Sequence, residues 1–291
     1  MATQGRSTRS RGARADMLKT RVVTALVLVT GLLAAMFLLP AAGWLALAAL
    51  VCAGAAWEWG GLGGFSPRQR GVFAALMGAA CLLVGTMSGL AQERSVPPGA
   101  LAVLYVVGGL FWVGVVPFWL ARKWRIQGPA SAVVVGLVVL LPPALALAHL
   151  RLVSPWVLLA AMAFVWVADI AAYFAGRAFG RHKLDPAISP GKTWEGAGGA
   201  VAGVLLFGLI LIAALAPEML NVASLVVAAP LLIALTALSI QGDLFESLLK
   251  RQAGVKDSSG LLPGHGGILD RIDSLTSTLP LVGLVALWFA H

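Results

Sequence analysis

Long apolar segments separated by short polar loops run along most of the chain. Crossing the hydrocarbon layer of a membrane takes about 20 mostly apolar residues. Nine segments are long enough: residues 22–40, 41–59, 71–91, 100–120, 131–149, 155–176, 196–216, 222–241 and 273–290. Their apolar runs are continuous and do not alternate with polar residues, so the pattern predicts helices and not the strands of a barrel. We therefore predict an all-α, polytopic helical membrane protein with about nine transmembrane helices.

Composition agrees with this class. The 291 residues are 59% hydrophobic and 11% charged, whereas a soluble domain is usually about 45–50% apolar and about 25% charged. A formal charge of +9 can indicate a protein that binds nucleic acid. The cations lie in loops between apolar segments, however, so nucleic acid is not an expected partner. Cys52 and Cys81 lie inside apolar runs, and we expect them to be small core residues.

The chain begins with a basic segment followed by the first apolar run. That run lacks a clear Ala-x-Ala cleavage site before Pro40 and leads straight into the second, so we expect an uncleaved helix in a tight hairpin. We expect disorder over residues 1–16. The predicted organisation is a basic cytoplasmic tail over 1–21, amino-terminal transmembrane helices over 22–160, and carboxy-terminal transmembrane helices over 161–291 with charged loops at 177–195 and 242–273.

The positions of Lys and Arg predict the orientation of the helices, because cytoplasmic loops of membrane proteins are enriched in these residues. With the amino terminus in the cytoplasm, 19 of the 21 basic residues fall on the inner side, and Arg94 and Arg151 fall outside. The loops 177–195 and 242–273 then face the cytoplasm, where nucleotides are available. We expect an inner (plasma) membrane location with the polar loops on the cytoplasmic side.

The densest charge lies just before the last apolar segment, where residues 250–273 hold four cations and three carboxylates. The order is Ser247-x2-Lys250-Arg251-x4-Lys256-Asp257-x5-Pro263-Gly264-His265-Gly266-Gly267-x2-Asp270-Arg271-x-Asp273. Glycines let backbone N–H groups approach an anion closely. Lys and Arg side chains add charge that binds phosphates. A phosphorylated substrate together with a divalent metal is the simplest explanation for this concentration of charge.

Three aspartates are candidate metal ligands. Asp270 and Asp273 are three residues apart at the start of the last helix, so both can face one point, and Asp243 adds a third hard oxygen ligand. Mg²⁺ prefers oxygen ligands, few carboxylates and substrate phosphates. The alternative is that these carboxylates only stabilise a helix amino terminus.

Asp243 also belongs to a helix face that continues the eighth apolar segment. At 100° per residue, Asp243, Glu246, Ser247 and Lys250 share this face. An exposed helix end held by ion pairs would give the same pattern. His265 is a single histidine in a glycine-rich loop, and contact with a phosphate, an acid–base role and a plain turn position all remain open. Zinc is not expected, because no cysteine or second histidine accompanies it.

A second polar loop precedes the seventh apolar segment, and its sequence is Ser189-Pro190-Gly191-Lys192-Thr193-Trp194-Glu195-Gly196. Ser189 and Thr193 can cap the following helix, whose first N–H groups form an anion site. Gly-Lys-Thr resembles the end of a P-loop, but Pro186 stands where the earlier glycine is required. We therefore reject a P-loop and expect Lys192 to contact a phosphate.

Two carboxylates lie within or beside apolar segments. Asp169 is inside the sixth segment, where a carboxylate is costly and normally faces a polar cavity or a partner. We therefore predict a functional role for Asp169. Glu58 lies between Trp57 and Trp59 near a helix end, and its role stays open at this point.

The 247–273 pattern resembles the signature of the phosphatidate cytidylyltransferase (CDP-diacylglycerol synthase) family at every fixed position. The segments Asp169-x3-Tyr173-x2-Gly176 and Ser189-Pro190-x-Lys192-Thr193-x-Glu195-Gly196 are similar to that family as well. The resemblance is specific over about residues 165–275. Over residues 1–160 it extends only to apolar helices.

The resemblance implies that CTP and phosphatidate give CDP-diacylglycerol and pyrophosphate in phospholipid biosynthesis. It implies Mg²⁺ at Asp243, Asp270 and Asp273, a second cation such as K⁺ beside it, and a homodimer. We expect these aspartates and Lys250 to be catalytic. The expected contacts with substrate or nucleotide are Asp169, Ser189, Lys192, Thr193, Glu246, Ser247, Arg251, Lys256, Asp257, His265 and Arg271.

Three other functions fit the sequence less well. A transporter would suit a carboxylate inside a helix, but paired broken segments in two halves are not evident. A CDP-alcohol phosphotransferase would need the pattern Asp-Gly-x2-Ala-Arg-x8-Gly-x3-Asp-x3-Asp, which the sequence lacks. A CTP-dependent lipid-alcohol kinase is the nearer alternative, since it would also bind CTP at a membrane but would release CDP.

Overall fold

The computed structural model describes residues 5–92 and 98–289, which are almost entirely helical. The helices are α1 (Gly5–Leu38), α2 (Ala41–Leu62), α3 (Pro67–Met87), α4 (Pro98–Leu110), α5 (Val116–Arg122), α6 (Pro129–Val153), α7 (Pro155–Phe179), α8 (Trp194–Leu215), α9 (Val222–Gln252) and α10 (Leu269–Phe289). A π-helical turn, Phe111–Val115, joins α4 to α5, and a 3₁₀ turn, Pro217–Met219, precedes α9. Strands β1 (Lys183–Asp185) and β2 (Ser189–Thr193) form a small antiparallel hairpin between α7 and α8.

Within the part of the chain that the structure describes, seven helical stretches are long and apolar enough to cross a membrane. They are α2, α3, the continuous stretch from Gly99 to Arg122, and α6 to α9. The apolar part of α1, Val22–Leu38, is shorter, and α10 begins with the charged residues of the 270–273 region. The all-α, multi-pass membrane class is therefore confirmed. The count of nine spans and the cytoplasmic amino terminus stay predictions.

The predicted disorder of the amino-terminal segment is wrong from residue 5 onward, because α1 begins at Gly5. Residues 1–4 lie outside the described residues. The segment contains no proline before Pro40, and extending an existing helix avoids the cost of nucleating a new one. The basic stretch therefore continues the first apolar helix.

The hairpin of β1 and β2 is the second departure from prediction, since residues 177–195 were expected to form a loop without strands. Asp185 closes the turn, because its Oδ1 accepts hydrogen bonds from the backbone N–H groups of Ala187 (3.0 Å) and Ile188 (3.3 Å). Such a side-chain turn competes with helix formation. Strands of three and five residues are too short to show an alternating pattern in the sequence.

The core of the bundle lies around α2 and α6. Trp59 of α2 is buried, and its Nε1 donates to the carbonyl of Ala132 at 2.9 Å. Trp44 donates in the same way to Leu147 at 3.0 Å. Cys52 and Cys81 are buried free thiols, as predicted. Buried tryptophans satisfy their single N–H donor through such long-range bonds, so these two pack the core and do not anchor the chain at the membrane surface.

Small residues set the closest helix contacts around the polar loops. A Cβ atom at Gly199 of α8 would lie 2.2 Å from the Cβ of Ala175 of α7, and one at Gly242 of α9 would lie 2.6 Å from the carbonyl oxygen of Asp273. Helices in membranes approach this closely only where side chains are small. Ser277 Oγ also donates to the carbonyl of Leu238 at 2.7 Å. The start of α10 therefore lies directly against α9.

Loops that were predicted on one side of the membrane lie together. Lys123 Nζ, after α5, is 3.5 Å from Asp185 Oδ1 of the hairpin. Gln252 at the end of α9 donates to the carbonyls of Lys123 (3.2 Å) and Trp124 (2.9 Å). Arg151, predicted on the other side, donates to the carbonyl of Met36 at 3.1 Å. This grouping agrees with the predicted alternation of the helices, although it does not assign a side to either group.

Candidate active site

A cavity of about 460 Å³ opens between α7, the hairpin, α8 and α9. It lies at the end of the bundle that carries the charged loops. Its polar lining residues are Asp169, Tyr173, Arg177, Ser189, Lys192, Thr193 and Asp243. Five of these, Asp169, Ser189, Lys192, Thr193 and Asp243, were predicted from the sequence. The cavity therefore brings together predicted residues that are up to 74 positions apart in the chain.

One face of α7 supplies the wall on one side. Asp169, Tyr173, Gly176 and Arg177 recur at intervals of three or four residues, which is the spacing of one helix face. Arg177 Nη1 donates to the hydroxyl of Tyr173 at 3.1 Å. Asp169 is exposed to the cavity, so its carboxylate meets a polar space and not lipid.

The opposite wall holds an ion pair between the hairpin and α9. Lys192 Nζ lies 2.6 Å from Asp243 Oδ2, and Ser247 Oγ donates to Asp243 Oδ1 at 3.2 Å. Thr193 caps α8, as predicted, because its Oγ1 accepts from the N–H of Gly196 at 3.1 Å. Ser189 does not cap the helix, because it lies in β2, four residues before the cap. The wall thus presents a cation beside the amino terminus of α8, where N–H groups favour anions.

Negative charge accumulates where α7, α9 and α10 meet. The carboxylates of Asp169 and Asp273 both lie within electrostatic range of Asp243. Arg271 and Lys192 act on Asp169 with the opposite sign. Like charges this close repel one another, so a cation stabilises the arrangement.

Lys250 lies beside this cluster and not in the cavity wall. Its Nζ is 2.7 Å from Asp270 Oδ1 and 3.4 Å from Glu246 Oε2, and its side chain is only 13% exposed. Glu246 is buried, and neither of its oxygens has a hydrogen-bond partner in the described part of the chain. Lys250 therefore joins α9 to α10 in this structure, and its catalytic role stays a prediction.

Asp270 fixes the glycine-rich loop to the start of α10. Its Oδ2 accepts from Ser258 N (2.9 Å), Ser258 Oγ (2.9 Å) and Gly267 N (2.8 Å). Burial by itself raises the pKa of Asp270, but hydrogen bonds from Lys250 and from two loop N–H groups outweigh burial and lower the pKa to about 2. The carboxylate therefore stays ionised near neutral pH.

The remaining predicted residues lie in this loop or at the helix ends beside it. Arg251, Lys256, Asp257 and Arg271 are exposed, and His265 is half-buried. Nδ1 of His265 lies 3.4 Å from the carbonyl oxygen of Pro263, which is compatible with a turn position. Contacts between these side chains and a substrate stay predictions.

Comparison with known proteins identifies the family. A family model described as "Cytidylyltransferase family" matches residues 19–289. The chain belongs to the cytidylyltransferase family. The phosphatidate cytidylyltransferase of Pseudomonas aeruginosa is 39% identical over 284 residues, covering 94% of this chain and 98% of that protein. The phosphatidate cytidylyltransferase of Haemophilus influenzae is 35% identical over 279 residues, covering 91% and 96%. Family membership makes the chain a nucleotidyltransferase.

The carboxylates of this cytidylyltransferase suit a hard divalent cation in kind. Asp169, Asp243 and Asp273 offer oxygen atoms, and Asp270 Oδ1 accepts a hydrogen bond from Lys250 Nζ. Within residues 5–92 and 98–289, no three Asp, Glu, His or Cys side chains are close enough together to hold an ion. Mg²⁺ commonly uses one or two carboxylates and takes its other ligands from water and substrate phosphates. The donor set therefore fits Mg²⁺ without a preformed cage.

Two site residues of this cytidylyltransferase escaped sequence reasoning. Arg177 was counted only as a loop cation, although its spacing from Asp169 and Tyr173 predicts the same helix face. Glu58 was left open. The structure places Glu58, fully buried, under the glycine-rich loop. In the sequence, the apolar neighbours of Glu58 are the one sign that it is buried, and they do not reveal a hydrogen-bond donor 200 residues away.

Proposed function

We propose that this cytidylyltransferase transfers a cytidylyl group from CTP to phosphatidate, giving CDP-diacylglycerol and pyrophosphate. The supporting observation is the cavity, which sets Lys192 and Arg177 beside Asp169 and Asp243 at the end of membrane-crossing helices. A site of this kind suits a phosphorylated lipid and a nucleotide. The two relatives that match nearly the whole chain carry the name of this activity.

The chemistry needs no nucleophile from the protein. A phosphate oxygen of phosphatidate attacks the α-phosphorus of CTP, a new P–O bond forms, and the bond between the α-phosphorus and the bridging oxygen breaks. Pyrophosphate leaves with that electron pair. A phosphate monoester is largely ionised near pH 7, so no strong general base is required. The task of the protein is to align two anions that repel each other and to neutralise their charge.

The side chains divide this work. We assign Lys192 and Arg177 to phosphates inside the cavity, where both side chains and the amino terminus of α8 converge. We assign the exposed cations Arg251, Lys256 and Arg271 to the phosphates of CTP or of the lipid, which they would meet as the substrates enter past the glycine-rich loop. Asp270 and Lys250 hold the loop in place.

A divalent metal is part of the proposal. We assign Mg²⁺ to Asp243, Asp270 and Asp273, which have to draw closer together to share the ion, with a second cation such as K⁺ beside it. When bound, Mg²⁺ neutralises charge on the phosphates as a Lewis acid. Lys192 and Lys250 hold Asp243 and Asp270 in this structure. These aspartates have to exchange partners, at least in part, as metal and substrate bind.

The membrane setting completes the proposal. The acyl chains of phosphatidate stay in the bilayer between helices, while CTP enters from the cytoplasm. The protein lies in the plasma membrane of a bacterium, as a homodimer, with the cavity on the cytoplasmic side.

A product assay tests the reaction. Purified protein in detergent–lipid micelles receives phosphatidate, CTP labelled at the α-phosphorus and Mg²⁺, with EDTA in a parallel sample. We expect labelled CDP-diacylglycerol and an equal amount of pyrophosphate, both lost with EDTA. Diacylglycerol replaces phosphatidate in a third sample, in which we expect no product. Formation of CDP and a phosphorylated lipid there would favour a lipid kinase instead.

A further inference from the structure

Glu58 of α2 lies under the glycine-rich loop and accepts four hydrogen bonds from it. Oε1 accepts from Ser259 Oγ (2.6 Å) and Ile268 N (2.9 Å). Oε2 accepts from Ser258 Oγ (3.0 Å) and Leu269 N (2.7 Å). The side chain is 0% exposed. A fully buried carboxylate is costly unless hydrogen bonds replace water, and here each oxygen has two donors within hydrogen-bond distance.

These bonds join the two ends of the loop. Ser258 and Ser259 lie shortly after α9, whereas Ile268 and Leu269 form the start of α10. Asp270 ties the same two ends from the other side, through Ser258 and Gly267. The hydroxyl of Ser258 lies between the two carboxylates, 3.0 Å from Glu58 and 2.9 Å from Asp270. This hydroxyl has one hydrogen, so it donates to only one of the two carboxylates at a time.

The contact between α2 and the loop leaves no room for a side chain at two glycines. A Cβ atom at Gly267 would lie 2.5 Å from Glu58 Oε1, and one at Gly54 would lie 2.5 Å from the Cδ1 of Ile268. Both distances are shorter than any ordinary contact. The loop therefore rests on α2 through backbone and glycine, and the carboxylate of Glu58 is the polar centre of that contact.

We propose that Glu58 is a positioning residue for nucleotide transfer: it holds the loop of residues 253–268 in the conformation that presents Lys256 to CTP. The kinetic part of this inference rests on the proposed function, whereas the structural part does not. Glu58 touches no substrate and acts through the loop. The amino-terminal helices thereby contribute to the site, although the cavity is lined by residues of the carboxy-terminal half.

The geometry requires a carboxylate of this length. A glutamine would offer one acceptor oxygen and turn an NH₂ group toward two donors, which leaves buried donors without partners. An aspartate keeps the charge but is one methylene shorter, so it can retain only part of the set. We therefore expect Glu58→Gln to release the loop and Glu58→Asp to have an intermediate effect.

Tryptic cleavage after Lys256 measures the loop directly, and the KM for CTP measures its effect on the reaction. For Glu58→Gln we expect cleavage after Lys256 and the KM for CTP each to rise about tenfold, since losing a hydrogen bond to a charged group changes an equilibrium by roughly that factor. Glu58→Asp should lie between Glu58→Gln and the unaltered protein. Trp44→Phe, which removes a buried long-range hydrogen bond of the same helix, should change neither quantity.

Ser259→Ala removes one of the four donors without placing a new group in the core, and it keeps the test open if Glu58→Gln does not fold. We expect it to raise cleavage after Lys256 and the KM about threefold, because one of the four hydrogen bonds to Glu58 is lost together with the bond that Leu261 N donates to Ser259 Oγ. Cleavage and KM equal to those of the unaltered protein in both Glu58→Gln and Ser259→Ala would overturn the inference. A lower maximal rate alone, with cleavage and KM unchanged, would overturn it too. If the unaltered protein forms no CDP-diacylglycerol, the proposed function fails, and cleavage after Lys256 still decides whether Glu58 holds the loop.

Discussion

The helices of the core and the helices around the cavity differ in what covers them. In α6, 61% of the most apolar stretch is buried inside the protein, and in α2 it is 50%, whereas in α8 and α9 it is 17%. The core helices are therefore surrounded by protein, and the cavity helices present most of their apolar surface outward. Under the proposed function, the lipid substrate reaches the polar cavity laterally through this wall, while the core keeps the wall in position.

The difference also extends to polar groups. The cavity walls hold charges that face one another, such as Lys192 and Asp243, whereas Glu58 of α2 is satisfied by loop donors. The residues that we assign to the reaction and the residue that supports the loop therefore lie in different parts of the protein, and the charged loop connects them. Substitutions in the two regions should therefore have different kinetic consequences.

The largest effect is expected for Asp243→Asn in the cavity wall. The substitution keeps the size of the side chain but removes a charge that pairs with Lys192 and that we assign to the metal. We expect kcat to fall about 10³-fold, as for the loss of a group that stabilises transition-state charge. The rate of CDP-diacylglycerol formation, with insertion and thermal stability checked in parallel, measures this. Glu218→Gln, in the turn before α9, is the matched control, and near-normal turnover by Asp243→Asn would remove Asp243 from the site.

The next effect is expected for Lys192→Ala in the hairpin. Loss of a cation that contacts a phosphate should raise the KM for CTP or phosphatidate about 10- to 100-fold, which corresponds to a charge-assisted hydrogen bond. Steady-state kinetics with each substrate varied in turn provides the measurement. Lys183→Ala removes an exposed cation from the same hairpin and should leave both KM values unchanged. Equal kinetics for the two variants would make the hairpin purely structural.

A smaller effect is expected where the wall meets α10. Gly242→Ala introduces a Cβ atom that would lie 2.6 Å from the carbonyl oxygen of Asp273. Because this is too close, α9 and α10 must move apart. We expect a loss of about 1–3 kcal/mol in the free energy of unfolding and a lower kcat, because Asp243 and Asp273 separate. Thermal unfolding and kinetics measure these changes. Gly198→Ala, where a Cβ atom meets open space, is the control, and equal stability of the two variants would argue against close packing of α9 on α10.

The smallest kinetic effect is expected in the core. Leu145 of α6 is fully buried, and Leu145→Ala should lower the free energy of unfolding by about 2 kcal/mol through lost packing. KM and kcat per folded molecule should stay within about twofold of the unaltered protein, since core packing is far from the site. Denaturation and active-site-normalised kinetics test this. A raised KM would show that the core and the cavity are not separable.

Much of the fold follows from local patterns in the sequence. Apolar length predicted the helices, and the charged end of α9 was correctly placed on a continuing helix. Thr193 was correctly identified as a cap, and the carboxylates 270 and 273 were placed at the start of α10. These features depend on neighbours within a few residues, which the sequence displays directly.

Contacts between distant segments were not predictable from one sequence. The pairing of Lys192 with Asp243 joins residues 51 positions apart, and Glu58 finds its donors 200 to 211 positions away. A carboxylate between two tryptophans gives no sign of such a partner. The hairpin was missed because its turn depends on Asp185 and not on a repeating pattern.

The exchange of labelled pyrophosphate into CTP tests the central claim most directly, because it reports which bond breaks and which group attacks. The account predicts that purified protein with CDP-diacylglycerol, labelled pyrophosphate and Mg²⁺ forms labelled CTP. It also predicts that CTP and labelled pyrophosphate without any lipid show no exchange, since the lipid phosphate is the nucleophile. Exchange in the absence of lipid would indicate a cytidylyl group on the protein, and no labelled CTP in either sample would contradict cytidylyl transfer altogether.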